Sequence, residues 1–260
     1  VAIADRYDGL LIDLDGVVWI GRDPVPGSVE ALRALRAAGK RIVFVTNNPG
    51  RLPQAYAERL RGLGVEVGVE QVVTAGVVVA RLAAEAAGPG GGAFVIGAAP
   101  LKEMVTAAGA RVLEGETARA ADVVVVSGHR GFDYGELETA KFALDGGARL
   151  FATSHDPTMP FPGGELPGTG AVLAAVEVAS GRSAEIAGKP ESHLFEIAKE
   201  AAGGGRLAMV GDRFSSDIEG GRRAGLETVL VLSGTTSREE AAAAEPAPDH
   251  VVADLAALVR

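Results

Sequence analysis

The sequence predicts an α/β fold, a mostly parallel sheet flanked by helices. Three observations predict it. Short apolar runs alternate with stretches of helical periodicity along all 260 residues. Glycine, at 36 residues, is abundant and falls at the joints between those stretches, as tight connections require. Polar side chains recur just past the apolar runs, where an open parallel sheet binds its ligands.

The elements follow in order. Residues 9–14, Gly-Leu-Leu-Ile-Asp-Leu, read as a buried strand. Residues 24–39 read as a helix: Pro26 and Ser28 mark its start, Val29, Leu32 and Leu35 form its apolar stripe, and Gly39 ends it. A strand over 41–46 leads to a helix over 52–64, with Pro53 early and Gly64 at the stop. Residues 71–74 form a third strand and 77–87 a helix. A glycine break at 88–92 precedes strands over 93–97 and 122–128, a helix over 134–147 and a strand over 149–154. A last block holds a strand over 206–212, a helix over 215–225, a strand over 227–234 and a short strand over 249–254. The alanine-rich stretch 239–248 reads as a helix end followed by a loop. No repeat and no disordered tail is expected.

Composition narrows the function. Hydrophobic residues make up 47% and charged residues 23%, a globular balance. Formal net charge is −9 and no basic stripe occurs, so nucleic acid is not the expected partner. With no cysteine, disulfides, thiol nucleophiles and Cys-ligated zinc are excluded. The start lacks a basic segment followed by an apolar core, and no apolar stretch reaches membrane-spanning length. A cytoplasmic enzyme or binding protein, with no membrane partner, is the expectation.

Four segments carry polar groups at strand ends. Asp13 and Asp15, with Gly16 after them, end the first strand; they suit either an acidic surface turn or a pair of site carboxylates. Val17 in a ligand position excludes an EF-hand. Thr46, Asn47 and Asn48 end the second strand and enter a helix near Pro53, which suits a simple turn or an anion site. Lys189 lies between an apolar run and Pro190; the proline occupies the hydroxyl position of a P-loop and excludes one. Asp212 and Asp217 follow the strand over 206–212, and Gly211 permits close approach. Brought to one sheet edge, these acids need a cation, and hard oxygen ligands without cysteine or clustered histidine select Mg²⁺. A carboxylate approaching a phosphate would face about 4 kcal/mol of repulsion per charge pair at ~4 Å and an effective dielectric near 20, which Mg²⁺ and a lysine would cancel.

In this order the four segments resemble the motifs of the haloacid-dehalogenase-like phosphatases. Asp13-Leu14-Asp15-Gly16 matches their D-x-D-G, Thr46 their strand-end hydroxyl, Lys189 their motif lysine, and Gly211, Asp212 and Asp217 their G-D-x-x-x-x-D. Residues 15–51 and 167–182 further resemble the branch of 4-nitrophenyl-, phosphoglycolate- and glycerol-phosphate phosphatases. That resemblance implies a discontinuous Rossmann-like core, 1–74 and 184–260, and an inserted α/β cap, 75–183, that sets specificity. It implies hydrolysis of a small phosphorylated metabolite through an aspartyl-phosphate on Asp13, with Asp15 as acid and then base. Thr46, Asn47 and Lys189 hold the phosphoryl group, Gly16 and Asn48 flank it, and Arg213 and Ser216 line the site. Mg²⁺ sits on Asp13, the Asp15 main chain and Asp212, and Asp217 holds a metal-bound water or orients Lys189. Pro49 and Gly50 stand where relatives often carry Ser and a polar residue, which leaves Arg51 as the remaining cation there. Residues 154–165 are expected to face the catalytic edge, with His155 and Met159 as specificity residues. Phosphoryl transfer to a second substrate, a non-catalytic sugar-phosphate-binding regulator, and a homodimer through the cap stay open at this level.

Overall fold

A computed structural model of the chain describes residues 2–161 and 164–260. Pro162 and Gly163, within the segment expected to face the catalytic edge, lie outside the described residues, as does Val1. After a 3-10 turn the chain forms β1 (Gly9–Asp13), a two-strand ribbon of β2 (Trp19–Ile20) and β3 (Asp23–Pro24), α1 (Ser28–Ala37), β4 (Arg41–Thr46), α2 (Pro53–Gly62), β5 (Val72–Thr74) and α3 (Ala75–Ala87). Next come β6 (Gly92–Ile96), α4 (Ala99–Ala107), β7 (Arg111–Val112), β8 (Val123–Val126), α5 (Tyr134–Asp145) and β9 (Arg149–Ala152). A hairpin of β10 (Thr158–Phe161) and β11 (Gly164–Pro167) leads to α6 (Thr169–Ser180) and β12 (Glu185–Ile186). The chain closes with α7 (Ser192–Ala201), β13 (Leu207–Gly211), α8 (Glu219–Arg223), β14 (Glu227–Val231), α9 (Arg238–Ala243) and β15 (His250–Val252).

Two parallel sheets result. One has six strands in the order β15-β14-β13-β1-β4-β5; the other has five, β12-β9-β8-β6-β7. β1 is central because its five residues are buried on both faces. Leu10 and Ile12 join the apolar layer that holds Leu32, Leu35 and Tyr56, whereas Leu11 joins the opposite layer with Val43, Val45 and Met209. Each such buried aliphatic side chain contributes roughly 1.5–3 kcal/mol. From β1 the chain winds outward to β4 and β5, then returns from the second sheet to β13 on the other flank. The carboxyl ends of β1 and β13 therefore meet at a topological switch point, the crevice in which such sheets take ligands.

Local differences from the sequence reading have physical causes. The expected helix over 24–39 begins at Ser28, because Asp23–Pro24 pair with Trp19–Ile20 instead. The expected helix over 215–225 is split into a π-helical turn, Phe214–Ile218, and α8. Glu185–Ile186, not read as a strand in the sequence, pair in parallel register with Phe151–Ala152 at the edge of the five-stranded sheet.

Candidate active site

The strand ends gather the four segments around one cavity of about 360 Å³. Asp13 ends β1 and is buried. The ammonium of Lys189, itself 3% exposed, donates to Asp13 Oδ1 and lies 2.7 Å from Asp217 Oδ1. Asp217 is held by the π-helical turn, where its Oδ2 accepts the Arg213 main-chain N–H at 3.0 Å. Its Oδ1 is buried without an aligned hydrogen-bond donor, since the Lys189 contact is close but poorly directed. Asp212 follows β13; its Oδ2 accepts the Thr235 N–H at 2.6 Å. Carboxylate oxygens of Asp13, Asp212 and Asp217 all lie within 4.8 Å of one another.

Glycine makes this crowding feasible. A Cβ on Gly16, where φ is +88°, would stand 2.4 Å from Asp212 Oδ2; one on Gly234 would stand 2.0 Å from the same oxygen. A Cβ on Gly211 would meet Asp217 Cβ at 2.2 Å. Such separations are far below van der Waals contact, so only hydrogen fits at these three places.

The charges are unbalanced. Three ionised carboxylates against one ammonium leave two negative charges uncompensated in a buried site. Burial raises the Asp13 carboxyl well above its ordinary range; Lys189 opposes that shift, and Asp217 and Asp212 add to it. Burial, with Asp217 beside it, raises Asp212 from 3.8 to about 6 against the Thr235 hydrogen bond. Lys189 goes the other way from most buried lysines: burial alone would lower it, but Asp13 and Asp217 outweigh that and keep it protonated. A small dication is the natural complement. The donors are hard carboxylate oxygens gathered within 4.8 Å, with no cysteine in the chain, so the set fits Mg²⁺.

Around the cluster, Thr46 Oγ1 accepts the Asn48 main-chain N–H at 3.1 Å, which leaves its own O–H free to donate into the cavity. The Asn47 side chain is fully engaged: Nδ2 donates to Asp156 Oδ2 and to the Lys189 carbonyl, each at 3.0 Å, and Oδ1 accepts the Lys189 N–H at 2.8 Å. Any contact from Asn47 to a ligand must come from its main chain. Asp15 lies outside the carboxylate cluster; its Oδ1 accepts the Trp19 indole N–H at 3.0 Å. Gly16, Asn48, Arg213, Ser216 and Met159 all line the cavity.

His155 is the exception among the expected residues. It is exposed and absent from the lining, whereas Ser154 and Asp156 on either side line the cavity, tied to each other by the Asp156 N–H donating to Ser154 Oγ at 3.3 Å. The sequence reading passed over Tyr56 and Arg59, which line the cavity from α2; Asp156, in the loop after β9, falls within the stretch 154–165 expected to face the catalytic edge but was not singled out.

A buried acidic cluster with one ammonium and a free hydroxyl, at the switch point of a parallel sheet, suits chemistry on a phosphoryl group, and relatives of the chain show it to be a phosphatase. The chain belongs to the haloacid dehalogenase-like hydrolases. That family's model matches residues 10–111, and a HAD-hydrolase-like model matches residues 186–258. D-glycerol 3-phosphate phosphatase of Mycobacterium tuberculosis is 38% identical over 99% of this chain and 72% of its own length. Chronophin of Mus musculus is 39% identical over 93% of this chain and 86% of its own. Among solved structures, glycerol phosphate phosphatase from Mycobacterium tuberculosis in complex with magnesium superposes with a TM-score of 0.91 at 37% identity, covering 99% of this chain and 78% of that one. The p-nitrophenyl phosphatase from Archaeoglobus fulgidus gives 0.89 at 33% identity, covering 97% and 98%. Among the described residues no helix is long and apolar enough to cross a membrane.

Proposed function

We propose that this phosphatase hydrolyses a small phosphorylated metabolite with Mg²⁺, through a phosphoryl group carried on Asp13. The observation that supports the reading is the Asp13–Lys189–Asp217 contact with Asp212 beside it at the end of β1. Asp13, Asp212, Asp217 and the Asp15 main chain would hold the metal. When bound it supplies positive charge that offsets repulsion between the nucleophile and the phosphoryl oxygens.

The chain's own residues do the rest. An Asp13 carboxylate oxygen attacks phosphorus, and the bond from phosphorus to the ester oxygen breaks. Asp15 gives its proton to the departing alkoxide, so a neutral alcohol leaves. Asp15, now ionised, takes a proton from water as that water attacks the same phosphorus. The Asp13–phosphorus bond breaks and inorganic phosphate departs. Lys189 and the Thr46 hydroxyl hold phosphoryl oxygens, and the Asn47 side chain fixes the Lys189 main chain on which that ammonium depends. Residues 1–74 with the closing segment form the catalytic core. The five-stranded sheet and its helices form the cap, from which Asp156 and Met159 reach the cavity and bear on substrate choice.

The test is phosphate release from 4-nitrophenyl phosphate. We expect turnover with Mg²⁺, none in EDTA, and none in Asp13→Asn with its fold intact. Undiminished turnover in EDTA or in Asp13→Asn would overturn the mechanism. A screen of phosphorylated metabolites then identifies the substrate.

A further inference from the structure

We infer that Trp19 is a positioning residue for the acid–base carboxylate: its indole N–H fixes which oxygen of Asp15 faces the ester. The inference rests on the role proposed for Asp15. Trp19 is the one tryptophan of the chain and is fully buried. A buried indole N–H requires an acceptor, and the one it has is Asp15 Oδ1 at 3.0 Å. With Oδ1 so occupied, Oδ2 is the oxygen left to carry and deliver the proton.

Two contacts hold the indole in that pose, each anchored in turn. Its ring stacks parallel to Tyr56, with centroids 6.4 Å apart and planes 3° from parallel. The Arg59 guanidinium lies 3.9 Å from the ring centroid, and Arg59 is itself tied to the Gly21 carbonyl at 2.9 Å. The Tyr56 hydroxyl donates to the Asn48 carbonyl at 3.0 Å, so the stack is anchored to the loop that carries Thr46. The main chain between the two residues is closed independently: Gly16 N–H donates to the Trp19 carbonyl at 2.7 Å, and Val18 N–H to the Leu14 carbonyl at 2.9 Å. Backbone bonds place the Asp15 Cα, and the indole then selects the carboxylate rotamer. Packing alone would not need the N–H, because a phenyl ring could fill the stack.

The experiment separates those roles by leaving group. In Trp19→Phe the aromatic stack stays and the donor goes. We would measure kcat/KM, which reports the phosphorylation step, for 4-nitrophenyl, phenyl and 4-methoxyphenyl phosphates. A good leaving group departs with little help from an acid, and a poor one depends on it. Trp19→Phe should lose about tenfold more on 4-methoxyphenyl than on 4-nitrophenyl phosphate, with KM little changed, as expected for one charge-assisted hydrogen bond. Because the chain has a single tryptophan, global incorporation of benzothienylalanine replaces N–H by sulfur at this site alone while keeping the fused ring; the same slope should appear. An equal loss across the series, or none, in a folded variant would overturn the inference. Asp15→Asn is the control: a flat series there means the acid role of Asp15 itself fails, whereas a steep Asp15→Asn series with a flat Trp19→Phe series rejects only the role of Trp19.

Discussion

Lys189→Met removes the single positive charge from a buried cluster of three carboxylates while keeping most of the side-chain volume. The native ammonium is 3% exposed and contacts both Asp13 and Asp217. Deleting one partner of a buried ion pair costs about 3–5 kcal/mol, because the charges left behind stay desolvated. For a chain of this size that corresponds to a fall of about 10 °C in the unfolding midpoint. The loss should depend on pH in a defined direction. Asp13 is raised well above its ordinary range, and Asp212 from 3.8 to about 6. A carboxyl whose folded pKa is raised binds its proton more tightly in the native state. Its effect on stability is therefore favourable at low pH and is lost as the pH rises from the unfolded value through the folded one. As the pH falls from 8 to 5 the orphaned carboxyls take up protons more readily, so the deficit of the variant should shrink toward acid and grow toward alkali. Thermal unfolding in EDTA at the two pH values measures it. A deficit equal at both, or one below about 1 kcal/mol at pH 8, would refute the ion-pair reasoning, because exposed pairs behave that way.

Three further outcomes follow from the same geometry. Gly234→Ala would place a Cβ 2.0 Å from Asp212 Oδ2, so Mg²⁺ affinity measured by calorimetry should fall at least tenfold while the 4-nitrophenyl phosphate KM at saturating metal stays within a few-fold. Because Asp212 titrates at about 6, Mg²⁺ must displace protons below that pH; its affinity should rise from pH 5 to pH 7, with proton release seen as a buffer-dependent heat. Asn47→Ala removes three hydrogen bonds, at about 1 kcal/mol each, and should lower both the unfolding midpoint and kcat.

Much of the site was legible because its residues sit at strand ends, and strands buried on both faces read as continuous apolar runs. Asp13, Thr46 and Asp212 each follow such a run. The weaker parts of the second sheet were not legible. Arg111–Val112 and Glu185–Ile186 are two-residue strands whose pairing is set by neighbours far along the chain. The hairpin 158–167 carries prolines within its strands, and α4 and α7 begin without a side-chain N-cap hydrogen bond. His155 failed as a cavity residue because the path of its loop, not residue type, decides which of three consecutive side chains faces inward. The Asn47 side chain reads in sequence as a donor to anions, yet the fold spends it on Asp156 and Lys189. The hydrogen bond from the Trp19 indole to Asp15, at 3.0 Å, has no signature in the sequence, where a tryptophan after the first motif reads as lining a flap or as packing beneath the cap.

The partners of the first strand arrive late. Asp13 meets an ammonium 176 positions downstream, and Asn47 closes its bonds across gaps of 109 and 142 positions. During synthesis Asp13 therefore emerges long before the groups that contact it in the folded chain. An amino-terminal fragment that stops short of residue 189 would carry both acids of the first motif and lack Lys189, Asp212 and Asp217, the groups that complete the cluster.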